Sequence, residues 1–331
     1  MTVDTAAPAG TVRTRGRRRW ADILVWLLVL VFAAWTALRV TGFDAGFRWV
    51  QLVAFTPYVA AASPAVPVLA LLLRRRAAGT AGLVVTLTLA GCVLPRALPQ
   101  DGPAVSGPVL RVLAANLAVG AADHRALIEL VRAERADVLA LAEVTPDAAE
   151  GLDGNGLRGL LPHRVDTKIR SGVGGSAIYS RFPLRALTPI DLGNFAQSRA
   201  LVTMPGDRRV EVTSVHPCAP RFAYKHACWL DGLRALPRAP ESGPHQVLAG
   251  DFNATLDHAP VRDLIASGYR DAANATGNGL LPTWPAKGWE TVPGITLDRI
   301  LADERIAVRA FRAHPLAGTD HKATFAELRL P

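Results

Sequence analysis

Three stretches without a single charged residue crowd into the first third of this 331-residue chain. They are residues 23–38 (ILVWLLVLVFAAWTAL), 49–73 and 77–95. A helix needs about 20 apolar residues to cross a hydrocarbon core, within roughly 17–25. Trp20, Ala21 and Val40 extend the first run toward that length, leaving Asp22 and Arg39 near the interfaces. The second run holds Pro57, Pro64 and Pro67, which remove backbone donors and predict kinks. Helices on the surface of a soluble domain keep a charged face, and these runs have none. A cleaved signal peptide over residues 15–40 would account for the first run, with Arg17–Arg19 ahead of it, but not for the other two. The block therefore reads as a three-helix transmembrane anchor over residues 20–96, behind a basic N-terminus of residues 1–19.

Charge follows the same division. The whole chain carries a formal +9. Residues 1–95 contain ten arginines against three aspartates, or +7, which leaves +2 for the remaining 236 residues. The clusters Arg13–Arg19 and Arg74–Arg76 flank the spans and should stay in the cytoplasm. Three crossings then place everything after about residue 96 outside it. The runs contain no Asp, Glu, Lys, Arg or His, so an ion pathway or proton relay is excluded as their purpose. Nothing in the pattern points to a protein partner; the bilayer is the partner of the first third.

Residues 97–108 (ALPQDGPAVSGP) have the Pro, Gly and small-residue content of a linker. Beyond them, residues 109–331 alternate strand-like and helix-like patterns. Val109–Ala115, Asp137–Glu143, Ser176–Ser180, Arg209–His216, Gln246–Asn253, Thr296–Ala302, Ala307–Ala313 and Ala323–Leu330 read as strands. Asp123–Glu134 and Ala259–Ser267 read as helices, the second with Pro260 in its first turn. Many strands with interspersed helices predict one α/β domain with two packed sheets.

The strands repeatedly begin or end on a residue that chemistry can use. Asn116 follows VLRVLAA, Glu143 ends DVLALAE, and His216 ends VEVTSVH. Asp251 and Asn253 end QVLAGDFN, Asp298 opens DRIL, and Asp320 and His321 precede the last strand. A lone Asn or Asp after a strand is commonly a turn residue. Eight such residues, all presented from strand ends, are the pattern of an active site held on rigid sheets.

The order of these motifs resembles the endonuclease/exonuclease/phosphatase (DNase I-like) superfamily. The matching pieces are AAN at 114–116, LAEV at 141–144, GGSAIYSRFPL at 174–184, SVHP at 214–217 and AGDFNATLDHAPVRDL at 249–264. They continue with PTWPA at 282–286, LDRIL at 297–301 and TDHKAT at 319–324. The resemblance spans about residues 108–330 and says nothing of the apolar runs. It implies a four-layer α/β/β/α sandwich and divalent-metal-dependent hydrolysis of a phosphate ester. His216 resembles the branches that carry His here rather than the Tyr of apurinic endonucleases. Ala118 stands where those endonucleases carry an acid, which speaks against DNA repair. Thr319 replaces the usual Ser and keeps the hydroxyl.

Under this resemblance Glu143, with Asn116 and Asp320, would hold Mg²⁺, with Mn²⁺ an alternative. Mg²⁺ takes hard oxygen ligands and retains water, so one or two carboxylates with phosphate oxygens suffice. Asp251 would orient or deprotonate the attacking water, and Asn253 would donate to a non-bridging oxygen. His321 would meet the phosphate with Asp298 charging its ring, and His216 is a second phosphate donor or general acid.

Substrate signals are thinner. Lys168, Arg170, Arg221 and Lys225 accompany Phe222, Tyr224 and Trp229, a mixture that suits either a nucleic-acid backbone or anionic headgroups. Trp284 and Trp289 could form a substrate rim. A domain charge of +2 is no polyanion footprint. The expected substrate is thus a phosphate ester, either nucleic acid or a phospholipid or small phosphodiester. Cys218 and Cys228, ten residues apart, can pair outside the cytoplasm or remain thiols.

Overall fold

The computed structural model describes residues 12–167, 169–192, 195–288 and 291–331. Residues 1–11 of the basic N-terminus, Lys168 and Trp289 lie outside the described residues. The chain forms two compact units. One comprises the residues up to Phe43 together with Thr56–Val93. The other comprises Asp44–Phe55 and Leu94–Pro331.

The first unit is helical: α1 (Val12–Thr41), then, beyond α2 (Phe47–Val53) of the other unit, α3 (Thr56–Ala62), α4 (Ala65–Leu72) and α5 (Arg76–Val93). Val25 and Val29 of α1 pack with Val66 and Ala70 of α4 and Ala78 of α5. Glycines permit the close approach: a Cβ on Gly82 would stand 3.1 Å from Val66 and 3.3 Å from the Pro67 nitrogen. Leu24, Leu27, Leu30 and Val31 remain exposed, so α1 is apolar on its outer face as well. Arg19–Thr41 and Arg76–Ala97 are long and apolar enough to span a membrane. A third span arises if Phe47–Val53 and Thr56–Leu72 count together. The second apolar run is broken, however. Its first part forms α2 (Phe47–Val53), and this short helix belongs to the second unit.

That second unit is built on two mixed six-stranded sheets. In chain order the strands are β1 (Val109–Asn116), β2 (Val138–Ala142), β3 (His163–Thr167), β4 (Ser176–Ser180), β5 (Leu184–Leu192) and β6 (Phe195–Met204). They continue as β7 (Arg208–Val215), β8 (His245–Asp251), β9 (Tyr269–Asp271), β10 (Asp298–Asp303), β11 (Ala307–Pro315) and β12 (Lys322–Arg329). The first sheet runs β11-β12-β1-β2-β4-β3 and the second β5-β6-β7-β8-β10-β9. Successive side chains of a strand face opposite ways. In β1, Leu110, Val112 and Ala114 therefore join Val212, Val247 and Ile300 of the other sheet in the central core. Leu113 and Ala115 face the outer layer instead, with Leu127, Ile128 and Val131 of α6 (His124–Ala133) and Leu152 of α7 (Pro146–Gly154). Across the molecule, Trp229 and Leu233 of α9 (His226–Arg234) and Val261 and Leu264 of α10 (Ala259–Ala266) cover the second sheet. A four-residue helix, α8 (Leu157–Leu160), precedes β3. The result is the expected α/β/β/α sandwich.

Two sequence expectations read differently in the structure. Residues 97–108 are tied to the sandwich at several points: Gln100 donates to Ala275 O at 2.9 Å, Arg270 to Asp101 O at 2.7 Å and Gly107 to Leu330 O at 3.0 Å. Backbone groups beside a sheet find partners rather than remain solvated. Arg96, placed by composition at the end of the anchor, is buried in the sandwich unit, with both terminal guanidinium nitrogens on Asp257 at 2.6 and 2.8 Å. Cys218 and Cys228 form a disulfide with Cα atoms 5.7 Å apart.

Candidate active site

Strand direction gathers the site. β1 runs parallel to β2, and β7 parallel to β8, so these four end at one edge of the sandwich. β12 is antiparallel to β1 and β10 to β8, so those two begin at that same edge. Asp298 is paired directly with Asp251 across the β10–β8 ladder. All eight residues expected from the sequence stand on this edge.

They form one network of hydrogen bonds and ion pairs. The Asn116 amide nitrogen donates to Glu143 Oε1 (3.3 Å) and to Asp251 Oδ2 (3.1 Å). The oxygen of the same amide accepts the Ala118 N–H at 2.9 Å. Glu143 accepts the Val119 N–H at 2.8 Å and lies 3.4 Å from His216 Nε2. His216 Nε2 is 3.8 Å from Asp251 Oδ2, as is His321 Nε2. His321 Nδ1 meets Asp298 at 3.0 Å, and its Nε2 lies 3.9 Å from Asp320. Asn253 is tied in from its backbone, which donates to Asp251 Oδ1 at 2.8 Å. Its side-chain amide donates to Pro217 O at 3.1 Å, so one of its two amide hydrogens is engaged away from the others.

Backbone strain marks the same place. Glu143 and Asn253 have φ of +57° and +48°, the left-handed region that non-glycine residues seldom enter. Such conformations cost about 1–3 kcal/mol each and persist where the surroundings impose them. Here they turn each side chain out of its strand direction toward the shared edge.

Supporting contacts fix the orientation; of these residues the sequence pattern marks only Thr319, for its hydroxyl, and Trp284, as a rim residue. Thr319 Oγ1 donates to Asn116 O and accepts the His321 N–H, which shows why a hydroxyl precedes the Asp-His pair. Thr283 Oγ1 accepts the N–H groups of Leu297 and Asp298. Gln197 Oε1 accepts the His216 N–H, and the Trp284 indole donates to Asp320 Oδ2 at 2.9 Å. Thr283, Gln197 and Trp284 come from loops or strands distant in sequence from the groups they hold, so no local motif announces those contacts.

The electrostatics are carboxylate-rich. Burial would push His321 down, yet Asp298, Asp251 and Asp320 outweigh it and raise its pKa to about 10. His216 is likewise disfavoured as a cation by burial but raised by Glu143 and Asp251. Burial opposes ionisation of Glu143, while His216, Asn116 and the Val119 N–H win and lower it. Asp251, Asp298 and His321 offer ligand atoms all within 4.8 Å of one another, a cluster that can hold a metal ion. With Glu143 and Asp320 alongside, four carboxylates face two imidazoles, and this donor set suits a hard divalent cation.

The sequence pattern of the Endonuclease/Exonuclease/phosphatase family matches residues 113–321. The chain belongs to that family. It is a phosphoesterase of the hydrolase class, on a DNase I-like fold. Three solved structures illustrate the likeness. An endonuclease/exonuclease/phosphatase from Beutenbergia cavernae DSM 12333 is 20% identical, with a TM-score of 0.51 over 67% of this chain and 72% of that one. Humanized D. rerio TDP2 is 15% identical, with a TM-score of 0.52 over 67% and 99%. An AP endonuclease from Archaeoglobus fulgidus is 16% identical, with a TM-score of 0.50 over 66% and 98%. No curated protein matches the chain. At such identities the likeness concerns the fold, and the substrate must be argued from this chain's own residues.

Proposed function

We propose that the chain is a membrane-anchored, divalent-metal-dependent phosphodiesterase that works outside the cytoplasm. The observation that carries this reading is the convergence of Asn116, Glu143, His216, Asp251, Asn253, Asp298, Asp320 and His321 on one sheet edge. Glu143, Asn116 and Asp320 would hold Mg²⁺ or Mn²⁺, which neutralises phosphate charge and supports the leaving oxygen when bound. Asp251 orients the attacking water and takes its proton. His321, charged by Asp298, presents its Nε2–H to a phosphate oxygen, and His216 presents a second imidazole beside Glu143. Asn253 places its remaining amide hydrogen toward the cavity it lines.

Topology rests on a parity argument. Asp44–Phe55 and Leu94–Pro331 belong to one compact unit, so both lie on one side of a membrane. Between them the chain must cross an even number of times. If α5 crosses, Thr56–Leu72 crosses too, and its 17 residues reach about 25 Å as helix. The arginines at 74–76 then lie on the side of Arg13–Arg19, as the positive-inside rule requires. The Cys218–Cys228 disulfide supports an oxidising location for the catalytic unit.

The test uses the full chain in lipid nanodiscs with bis(4-nitrophenyl) phosphate. Hydrolysis with Mg²⁺ that falls at least about 100-fold in both Glu143→Ala and His321→Ala supports the assignment. Wild-type rates in either variant contradict it. A fused reporter that works only in the cytoplasm, active after Pro331, overturns the topology.

A further inference from the structure

The cavity at this edge has two unlike ends. It encloses about 500 Å³. Glu143, Asp251, Asn253, Asp320 and His321 line one end, and Val50, Ala54, Phe55, Ile295 and Leu297 line the other. Ala54 packs with Ile295 and Leu297, and Phe55 and Trp284 lean on the same cluster. The apolar half thus comes partly from residues 44–55, well outside the stretch that carries the family pattern.

Residues 44–55 are a built wall rather than a loop laid across the surface. Ala259 N–H donates to the Asp44 carboxylate at 2.6 Å, and His226 donates to Asp44 O at 2.9 Å. Gln51 donates to Pro220 O at 2.9 Å. His258 Nε2–H donates to Val50 O at 2.8 Å, while its Nδ1 accepts the Thr255 N–H at 2.9 Å. Those two bonds define the neutral tautomer of a fully buried ring, and burial holds its pKa below the usual histidine value. Val50 itself is sealed into the core with Trp229 and Phe252. The segment follows directly on α1 and leads directly into α3, so the wall is covalently continuous with the apolar helices at both ends.

We propose that this wall selects the substrate: the enzyme acts on amphiphilic phosphate esters whose apolar chain lies along Ala54, Phe55, Ile295 and Leu297. The inference rests on the phosphodiesterase reading above and adds the substrate class to it. The division of the lining between polar and apolar side chains argues for such a ligand. The phosphate meets His321 and the metal that the carboxylates would hold, while Ala54, Phe55, Ile295 and Leu297 offer one apolar cluster in the same cavity. A nucleic acid would instead carry further phosphates and sugars across that surface, where Arg221 is the one Arg or Lys lining the cavity among the described residues.

The test is competitive inhibition of bis(4-nitrophenyl) phosphate hydrolysis by methyl, butyl and octyl phosphate, using the full chain in nanodiscs. Burial of each methylene tightens binding about fourfold when complete, so octyl phosphate should inhibit at least about tenfold more strongly than methyl phosphate. Phe55→Asp should reduce that ratio to about threefold or less, and Phe55→Leu should retain it. Partition into the disc is common to all three proteins and cancels, and the ratio does not depend on how much of a variant is folded. Equal inhibition by methyl and octyl phosphate overturns the inference, as does an unchanged ratio in Phe55→Asp. A single-stranded oligonucleotide that competes more strongly than octyl phosphate also overturns it, in favour of a nuclease. Absence of hydrolysis with either Mg²⁺ or Mn²⁺ refutes the underlying phosphodiesterase reading instead.

Discussion

Arg96 lies three residues beyond α5, and its side chain is 6% exposed. Its guanidinium grips Asp257, whose side chain is wholly buried. Asp257 immediately precedes His258, the ring that holds Val50 and with it the apolar wall. Arg96→Ala removes the bidentate partner of a buried carboxylate. Breaking such a pair from one side costs about 3–5 kcal/mol. For a unit of roughly 250 residues, each kcal/mol lowers the melting temperature by about 2–4 °C, which gives about 6–20 °C in all. The paired change Arg96→Met with Asp257→Leu removes both charges and refills the volume, so it should cost less than the single change. The assay is thermal unfolding of the full chain in detergent, followed by near-ultraviolet circular dichroism. A single variant that melts within about 2 °C of the parent, or a double variant that melts lower than the single, would refute the reasoning.

Other consequences are testable in the same preparations. Asp298→Asn leaves the His321 ring without its charged partner and should reduce turnover by roughly 100-fold or more, measured against bis(4-nitrophenyl) phosphate. Replacing Cys218 and Cys228 by Ser reopens a short loop and should cost about 2–3 kcal/mol in chemical denaturation. Gly250 has φ +146°, and a Cβ there would run into the Val215 carbonyl. Gly250→Ala should therefore misplace Asp251 and cost at least about 1 kcal/mol, read as a lowered melting temperature with reduced turnover.

Much of the sandwich was readable because apolar strands announce themselves by composition and by what ends them. Ser176–Ser180 was delimited from the sequence as the structure has it, and Val109–Asn116 to within one residue. The site was readable for a related reason: a carboxylate, amide or imidazole after an apolar run stands out against its neighbours. β5 and β6 were not anticipated. β5 is half-exposed, with a mixed pattern and Pro189 inside it, which reads against a strand. The supporting contacts of Thr283, Gln197 and Trp284 depend on tertiary approach alone. Residues 44–55 were hidden more deeply. Their apolar character merges with the spans on either side, and Asp44, Arg48 and the hydrogen bonds of Gln51 are what separate them from a membrane helix. Composition places Arg96 at the end of the anchor because a buried bidentate partner 161 residues away leaves no local trace.

The central claim is that Glu143 and its neighbours assemble a divalent-metal site for phosphodiester hydrolysis. Its most direct test is turnover of bis(4-nitrophenyl) phosphate by the metal-stripped full chain during titration with Mg²⁺, in parallel with Glu143→Gln. The account predicts no turnover before metal, a saturable rise with Mg²⁺ that EDTA reverses, and a curve displaced to higher Mg²⁺ in the variant. Full turnover in EDTA, or identical Mg²⁺ curves for parent and variant, would contradict it.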